Sequence, residues 1–110
     1  MENVQDIILL FAQKARKLMG KYLSKILVYG SYARGDYNET SDIDIMILTS
    51  LSEKKIEKME DALYDVAFDL LLEYGIQISV IVKNEEHFNY WLGALPFYDN
   101  VKREGVEIVG

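Results

Sequence analysis

The chain has no cysteine, one histidine and one proline among its 110 residues. Without cysteine there can be no disulfide, no thiolate metal site and no cysteine nucleophile, an absence compatible with a reducing cytosol. The lone histidine, His87, excludes a histidine cluster and reads as an ordinary surface or packed helix residue. Positive charge is scarce as well: 12 Lys and Arg against 18 Asp and Glu leave a formal charge of -6. Gripping a nucleic-acid backbone needs the opposite balance, so stable nucleic-acid binding is not expected. An acidic chain can still bind a nucleotide through metal ions, and it suits a basic protein partner. Long apolar runs are missing too. Glu2, Asp6, Lys14, Arg16 and Lys17 interrupt the first twenty residues, which therefore make neither a signal h-region nor a membrane span. The expectation is a soluble cytoplasmic protein with no membrane attachment.

What is present is enough apolar material for one core. Half the residues are hydrophobic, they fall in periodic segments, and the length fits a single domain spanning 1–110. Val4, Ile7, Ile8, Phe11, Ala15, Leu18 and Met19 recur at helical spacing and predict an amphipathic helix ending at Gly20. Lys25 to Tyr29 reads as a first strand and Asp42 to Leu48 as a second. Their connection is too short for a parallel crossover, so the two should run antiparallel. Ile56, Met59, Leu63, Val66, Ala67, Leu70, Leu71 and Tyr74 mark the longest helix, from Glu53 to Tyr74, with Gly75 as C-cap. Ser50 and Glu53 have capping-box spacing, with Ser52 as a rival N-cap. Ile76 to Val82 alternates as a third strand, which a strand, helix and strand crossover makes parallel to the second. The tail predicts a helix near Asn84 to Leu92, a break at Leu95-Pro96, a helical turn near Phe97 to Glu104 and a last strand at Val106 to Val109. The fold class is α/β (α+β): a small mixed sheet of three or four strands flanked by helices.

The chemistry concentrates in Tyr29-Gly30-Ser31-Tyr32-Ala33-Arg34-Gly35 and Ser41-Asp42-Ile43-Asp44. Antiparallel pairing brings Gly30 and Ser31, at the end of the first strand, near Asp42 and Asp44, at the start of the second. Strand alternation points Asp42, Asp44, Met46 and Leu48 to one face and Ile43, Ile45 and Ile47 to the other. Two ionised carboxylates with Cα atoms roughly 7 Å apart on one strand face repel each other, and a divalent cation resolves the repulsion. Hard oxygen ligands of this kind suit Mg²⁺ or Mn²⁺, which share their remaining positions with water and substrate phosphates. That points to phosphoryl or nucleotidyl transfer. Gly30 permits close backbone approach, and the hydroxyl and amide of Ser31 can hydrogen-bond phosphate oxygens.

Gly30-Ser31 followed by Asp42-Ile43-Asp44 resembles the nucleotidyltransferase signature of the DNA polymerase β superfamily. The fuller string, with Ala33-Arg34-Gly35 and Ser41, is similar to its minimal nucleotidyltransferase branch. The resemblance implies a polymerase β-like fold in which Gly30, Ser31, Arg34 and Ser41 contact the nucleotide and Asp42 and Asp44 are catalytic and hold the metal. Arg34 would pair with a carboxylate or reach a phosphate. It also implies ATP as substrate and a HEPN-domain toxin as partner, with this chain as the antitoxin of the pair, transferring AMP onto a tyrosine of the toxin. Association with itself or with another chain is compatible with the sequence.

The family's third carboxylate comes from the neighbouring strand, where this chain offers Gln77 and Ser79, neither acidic. Glu73, just before that strand, is the substitute at hand. The alternative reading is therefore a weakly active or inactive antitoxin that neutralises its partner by contact. Among other residues, Tyr64 and Tyr74 read as core, Tyr32 and Tyr37 as packing or base-stacking residues, and Lys54, Lys55 and Lys58 as a solvated helix face. Trp91, Leu92, Leu95, Phe97 and Tyr98 read either as core closure or as a docking patch.

Overall fold

The computed structural model describes residues 3–109. The 3.6-residue period of the first segment produces α1 (Val4–Met19), capped by Asn3, whose side chain accepts a hydrogen bond from the Asp6 amide at 2.9 Å. It buries Ile7, Ile8, Phe11, Ala12, Ala15 and Met19, while Leu18, expected on the same face, stays exposed. After a turn at Gly20–Tyr22 come β1 (Leu23–Tyr29), the one-turn helix α2 (Ser31–Arg34), β2 (Ile43–Thr49) and α3 (Glu53–Tyr74). Then follow β3 (Ile78–Asn84), α4 (Glu85–Trp91), α5 (Pro96–Glu104) and the short β4 (Val106–Glu107).

The four strands form one mixed sheet in the order β3-β2-β1-β4. β1 runs antiparallel to β2 and to β4, and β2 runs parallel to β3. Both directions agree with the sequence expectations, the first set by a short connection and the second by the passage of α3 between β2 and β3. β3 begins at Ile78, two residues later than the alternation indicated, because pairing opens with Ile43 opposite Ile78, and the Ile43 amide donates to the Gln77 carbonyl at 2.9 Å.

β2 is buried on both faces. Ile43, Ile45 and Ile47 pack with α1 and α3 residues such as Phe11, Ile56, Leu63 and Leu70 in the main core. Met46 and Leu48 meet Phe88, Tyr98 and Val101 in a second, smaller core. Three layers result, α1 and α3 on one side of the sheet and α4 and α5 on the other. The buried polar side chain of Thr49 is satisfied: its hydroxyl donates to the Tyr22 carbonyl at 2.7 Å and accepts from the Leu51 amide at 3.1 Å. Among the described residues no helix is long and apolar enough to cross a membrane.

Local chemistry departs from expectation in several places. The Ser50-Glu53 capping box does not form. Ser52 is the N-cap of α3, without a side-chain bond, and the Ser50 amide instead donates to the Tyr22 carbonyl at 3.1 Å. Tyr64 is not core: it is 45% exposed, because it lies off the face of α3 that buries Ile56, Leu63, Ala67 and Leu70, and its hydroxyl donates to Glu60 one turn away at 2.7 Å. Pro96 starts α5 rather than merely breaking the chain, at the first helical position where no amide donor is needed. The aromatic cluster around it divides. Tyr98 closes the second core with Leu92 packed against it, while Trp91, Leu95 and Phe97 remain partly exposed.

The two sides of α3 give a test of this packing. Leu63 is fully buried, so Leu63→Ala is expected to destabilise the protein by about 2–5 kcal/mol in urea unfolding. Leu72 is 69% exposed, and Leu72→Ala is expected to change stability by less than about 0.5 kcal/mol. Equal losses would mean that α3 presents a different face to the sheet.

Candidate active site

The register of β1 and β2 builds the site. Tyr29 pairs with Asp44, so the residue after Tyr29 leaves the sheet beside that carboxylate. That residue is Gly30, with φ of 74°, a backbone conformation that L side chains rarely adopt. A Cβ placed on it would lie 3.2 Å from the Asp44 carboxylate carbon and closer still to Oδ2. Glycine is thus required twice, for the turn and for the space. α2 starts at Ser31 with Gly30 as its N-cap, and its single turn is closed by the Arg34 amide, which donates to the Gly30 carbonyl at 3.0 Å.

A cleft of about 370 Å³ lies above this junction, lined among others by Gly30, Ser31, Arg34, Asp44, Phe97 and Glu104. Tyr29 also borders it and packs edge-on against Phe97 at 5.7 Å between ring centroids. Burial pushes the Tyr29 phenol up to about 12, and the negative charge of Asp44 adds to the effect. Burial likewise raises the Asp44 carboxyl, the charge of Asp42 raises it further, and Arg34 pulls it back down. The repulsion inferred from the spacing of the two aspartates is therefore present in the folded chain.

Arg34 takes carboxylate partners. Its Nε bonds Asp36 at 3.1 Å and its Nη1 bonds Glu104 at 3.2 Å. Glu104 lies 70 residues away on α5, and no sequence motif signals the pairing. With the Arg34 side chain 46% exposed, these contacts add little stability; what they do is fix the guanidinium at the mouth of the cleft.

Asp42 lies just before β2, and the Ser79 hydroxyl donates to its Oδ2 at 3.3 Å. Ser79 is also the residue paired with Asp44 across the parallel ladder, so the position facing the carboxylates from β3 carries a hydroxyl. Gln77 precedes β3 and is exposed, and Glu73 sits on an exposed position of α3. Among the described residues no group of three or more His, Cys, Asp or Glu side chains gathers to hold a metal ion.

Neither Ser41 nor Asp42 is in the cleft lining. The Ser41 hydroxyl accepts from the Asn38 amide at 3.0 Å in the turn that leads to Asp42. Tyr32 and Tyr37 stack on each other, with ring centroids 4.2 Å apart and planes 13° from parallel. The Tyr32 phenol is raised by burial first, then by Tyr37 and Asp42. Phe97, Asn100, Val101 and Glu104 are the cleft residues outside the two motifs. All four lie on α5, where only the tertiary fold reveals their neighbourhood.

Proteins of similar sequence are known. A protein of Methanocaldococcus jannaschii named "putative protein adenylyltransferase" is 43% identical over 91 residues, covering 80% of this chain and 83% of its own. A second of the same name and organism is 32% identical over 106 residues, covering 96% and 99%. Among solved structures, a toxin-antitoxin MntA-HpeT crystal structure carrying two aspartate-to-glutamate substitutions aligns with a TM-score of 0.56. The match covers 99% of this chain and 74% of that one at 19% identity, which shows a shared fold. Residues 11–107 match the family model of the nucleotidyltransferase domain. With the mixed sheet and the Gly30–Asp44 junction already in place, that match is decisive: the chain belongs to the nucleotidyltransferase domain family.

Proposed function

We propose that the chain works as one minimal nucleotidyltransferase domain, residues 1–110, that moves AMP from ATP onto a tyrosine hydroxyl of a HEPN-type toxin in the cytoplasm. It would thereby serve as the antitoxin of that pair. The observation that carries the nucleotide part is the apposition of Gly30 to Asp44 at paired strand ends, with Asp42 just before β2 and close enough for its charge to raise the Asp44 carboxyl. The acceptor and partner draw support from the names of the relatives and from the toxin-antitoxin assembly of the structural neighbour.

A divalent cation, Mg²⁺ or Mn²⁺, fits the residues present. Asp42 and Asp44 offer hard oxygen donors whose mutual repulsion a cation would relieve, and two ligands leave positions for water and phosphate oxygens. When bound, such an ion polarises the α-phosphate and eases departure of pyrophosphate. The chain's own groups do the rest. Gly30 lets the polyphosphate approach the backbone, and the hydroxyl and amide of Ser31 hydrogen-bond its oxygens. Arg34, held by Asp36 and Glu104, faces the charge at the cleft mouth. Ser41 shapes the turn presenting Asp42, and Ser79 orients the Asp42 carboxylate. The hydroxyl oxygen of the acceptor attacks the α-phosphorus as the bond to the bridging oxygen of pyrophosphate breaks.

The serine at position 79 favours a second reading. With two carboxylates rather than three gathered among the described residues, no third carboxylate stands ready as the base that takes the proton of the attacking hydroxyl, and the chain would then neutralise its partner by contact.

Incubation with α-labelled ATP and Mg²⁺, with and without the product of the adjacent reading frame, separates these readings. Label is expected on that product, and Asp42→Ala or Asp44→Ala should abolish it without unfolding the chain. Transfer retained in both variants would remove the aspartates from the mechanism. An Asp44→Ala protein that still suppresses toxicity would favour neutralisation by contact.

Gly30→Ala should weaken ATP binding, measured by titration calorimetry, by about tenfold or more, because the methyl group displaces Asp44. Unchanged affinity would show that the junction does not form the site.

The cation makes a separate prediction. The folded Asp44 carboxyl lies above its unfolded value. Its stabilising contribution is therefore full below the unfolded value and lost as pH rises through the folded one. At neutral pH the charged pair opposes folding, so in metal-free buffer Asp44→Asn should raise the melting temperature, with the gain vanishing in acid. Mg²⁺ should raise the melting temperature of the wild type and not of Asp44→Asn. An equal rise in both would place the ion elsewhere.

A further inference from the structure

The flank of α3 that lies along β3 carries large apolar side chains that stay exposed among the described residues. Tyr64, Phe68 and Leu72 are 45%, 56% and 69% exposed and stand four residues apart, which stacks them into one stripe on a helix. Two adjoining concavities meet at Tyr64. One is lined by Glu53, Glu57 and Glu60 against Ile81 and Val82, with Lys54 and Lys83 also bordering it, the other by Ala67, Phe68 and Leu71 against Ile78. β3 is the outermost strand on this side, so the groove is open to a partner.

Charge distinguishes this stripe from stray surface hydrophobics. From Glu60 to Tyr74 the helix carries Glu60, Asp61, Asp65, Asp69 and Glu73 and neither Lys nor Arg. An apolar centre with an acidic border is the pattern of a protein interface rather than of a solvated helix. Its complement is a surface with an apolar centre and a basic border.

We propose that this stripe docks a helix of a protein partner, one presenting apolar residues four apart and bordered by Lys or Arg. A two-fold pairing of the stripe with itself would set ten acidic residues against one another, twice the five just named, which electrostatics opposes. The same chain also has a basic apolar area, where Leu18 and Tyr22 border a hollow with Lys55 and Lys58. A contact between that area and the stripe of a second copy would be head-to-tail and would leave a free patch at each end, giving rings or open chains. A separate partner saturates the stripe once.

Identifying that partner with the toxin rests on the antitoxin reading above, so the test separates the two ideas. The wild-type chain, Phe68→Gln/Leu72→Gln and Asp65→Asn/Asp69→Asn are each titrated with the product of the adjacent reading frame. Thermal melts and ATP binding confirm that the variants are folded with an intact cleft. Wild-type association that falls by more than about tenfold in both variants, and weakens with added salt in the wild type, is the expected result. Wild-type association unchanged in the variants would overturn the stripe while leaving the antitoxin reading standing. No wild-type association would overturn both. Growth of the wild-type chain alone into larger species, abolished by Phe68→Gln/Leu72→Gln, would make a second copy the occupant and overturn the proposal.

Discussion

The site depends on one backbone register. Because Tyr29 lies opposite Asp44, the chain leaves the sheet against a carboxylate, and only a residue without a side chain can make that exit. The turn, the one-turn helix that begins at Ser31 and the cleft all follow from that pairing. A slip by one residue would turn Asp42 and Asp44 towards the main core and bring Ile43 and Ile45 to the cleft face. Burial of Ile43, Ile45 and Ile47 under α1 and α3 guards against the slip, so the hydrophobic core fixes the chemistry.

Much of this was legible from residue pattern. The helices from Val4 to Met19 and from Glu53 to Tyr74 declare themselves by periodicity, and Gly75 caps the second in a left-handed conformation, as its place in the sequence implies. The directions of the three main strands follow from connection lengths. The division of β2 into a carboxylate-bearing face and an isoleucine face follows from its alternation. Partners distant in sequence were not legible. Arg34 finds Glu104 across 70 residues, and Tyr64 lies off the face of α3 that buries Leu63, Ala67 and Leu70, where its hydroxyl donates to Glu60 at the surface.

The cleft joins opposing electrostatic demands. Asp42 and Asp44 repel each other and resist burial, while Arg34 brings the positive field that draws the Asp44 carboxyl down again. The ladder neighbour of Asp44 is a serine, which can donate to a carboxylate and adds no charge of its own. Position 79 thus adds no further negative charge beside Asp42 and Asp44, and the other acid bordering the cleft, Glu104, is paired with Arg34. A polyphosphate meets less repulsion there than an acid at position 79 would give, and a second cation less attraction.

The Arg34–Glu104 contact has a consequence for the chain as it is made. Glu104 stands on α5, and β4 just beyond it pairs with β1 through Leu27 and Val28. The elements around Gly30 thus receive two of their supports from residues made after the three main strands. While the ribosome still holds those residues, β1, β2 and β3 can already pair, but Arg34 lacks its distant carboxylate and β1 its outer neighbour. The site reaches its final form only once α5 and β4 have emerged.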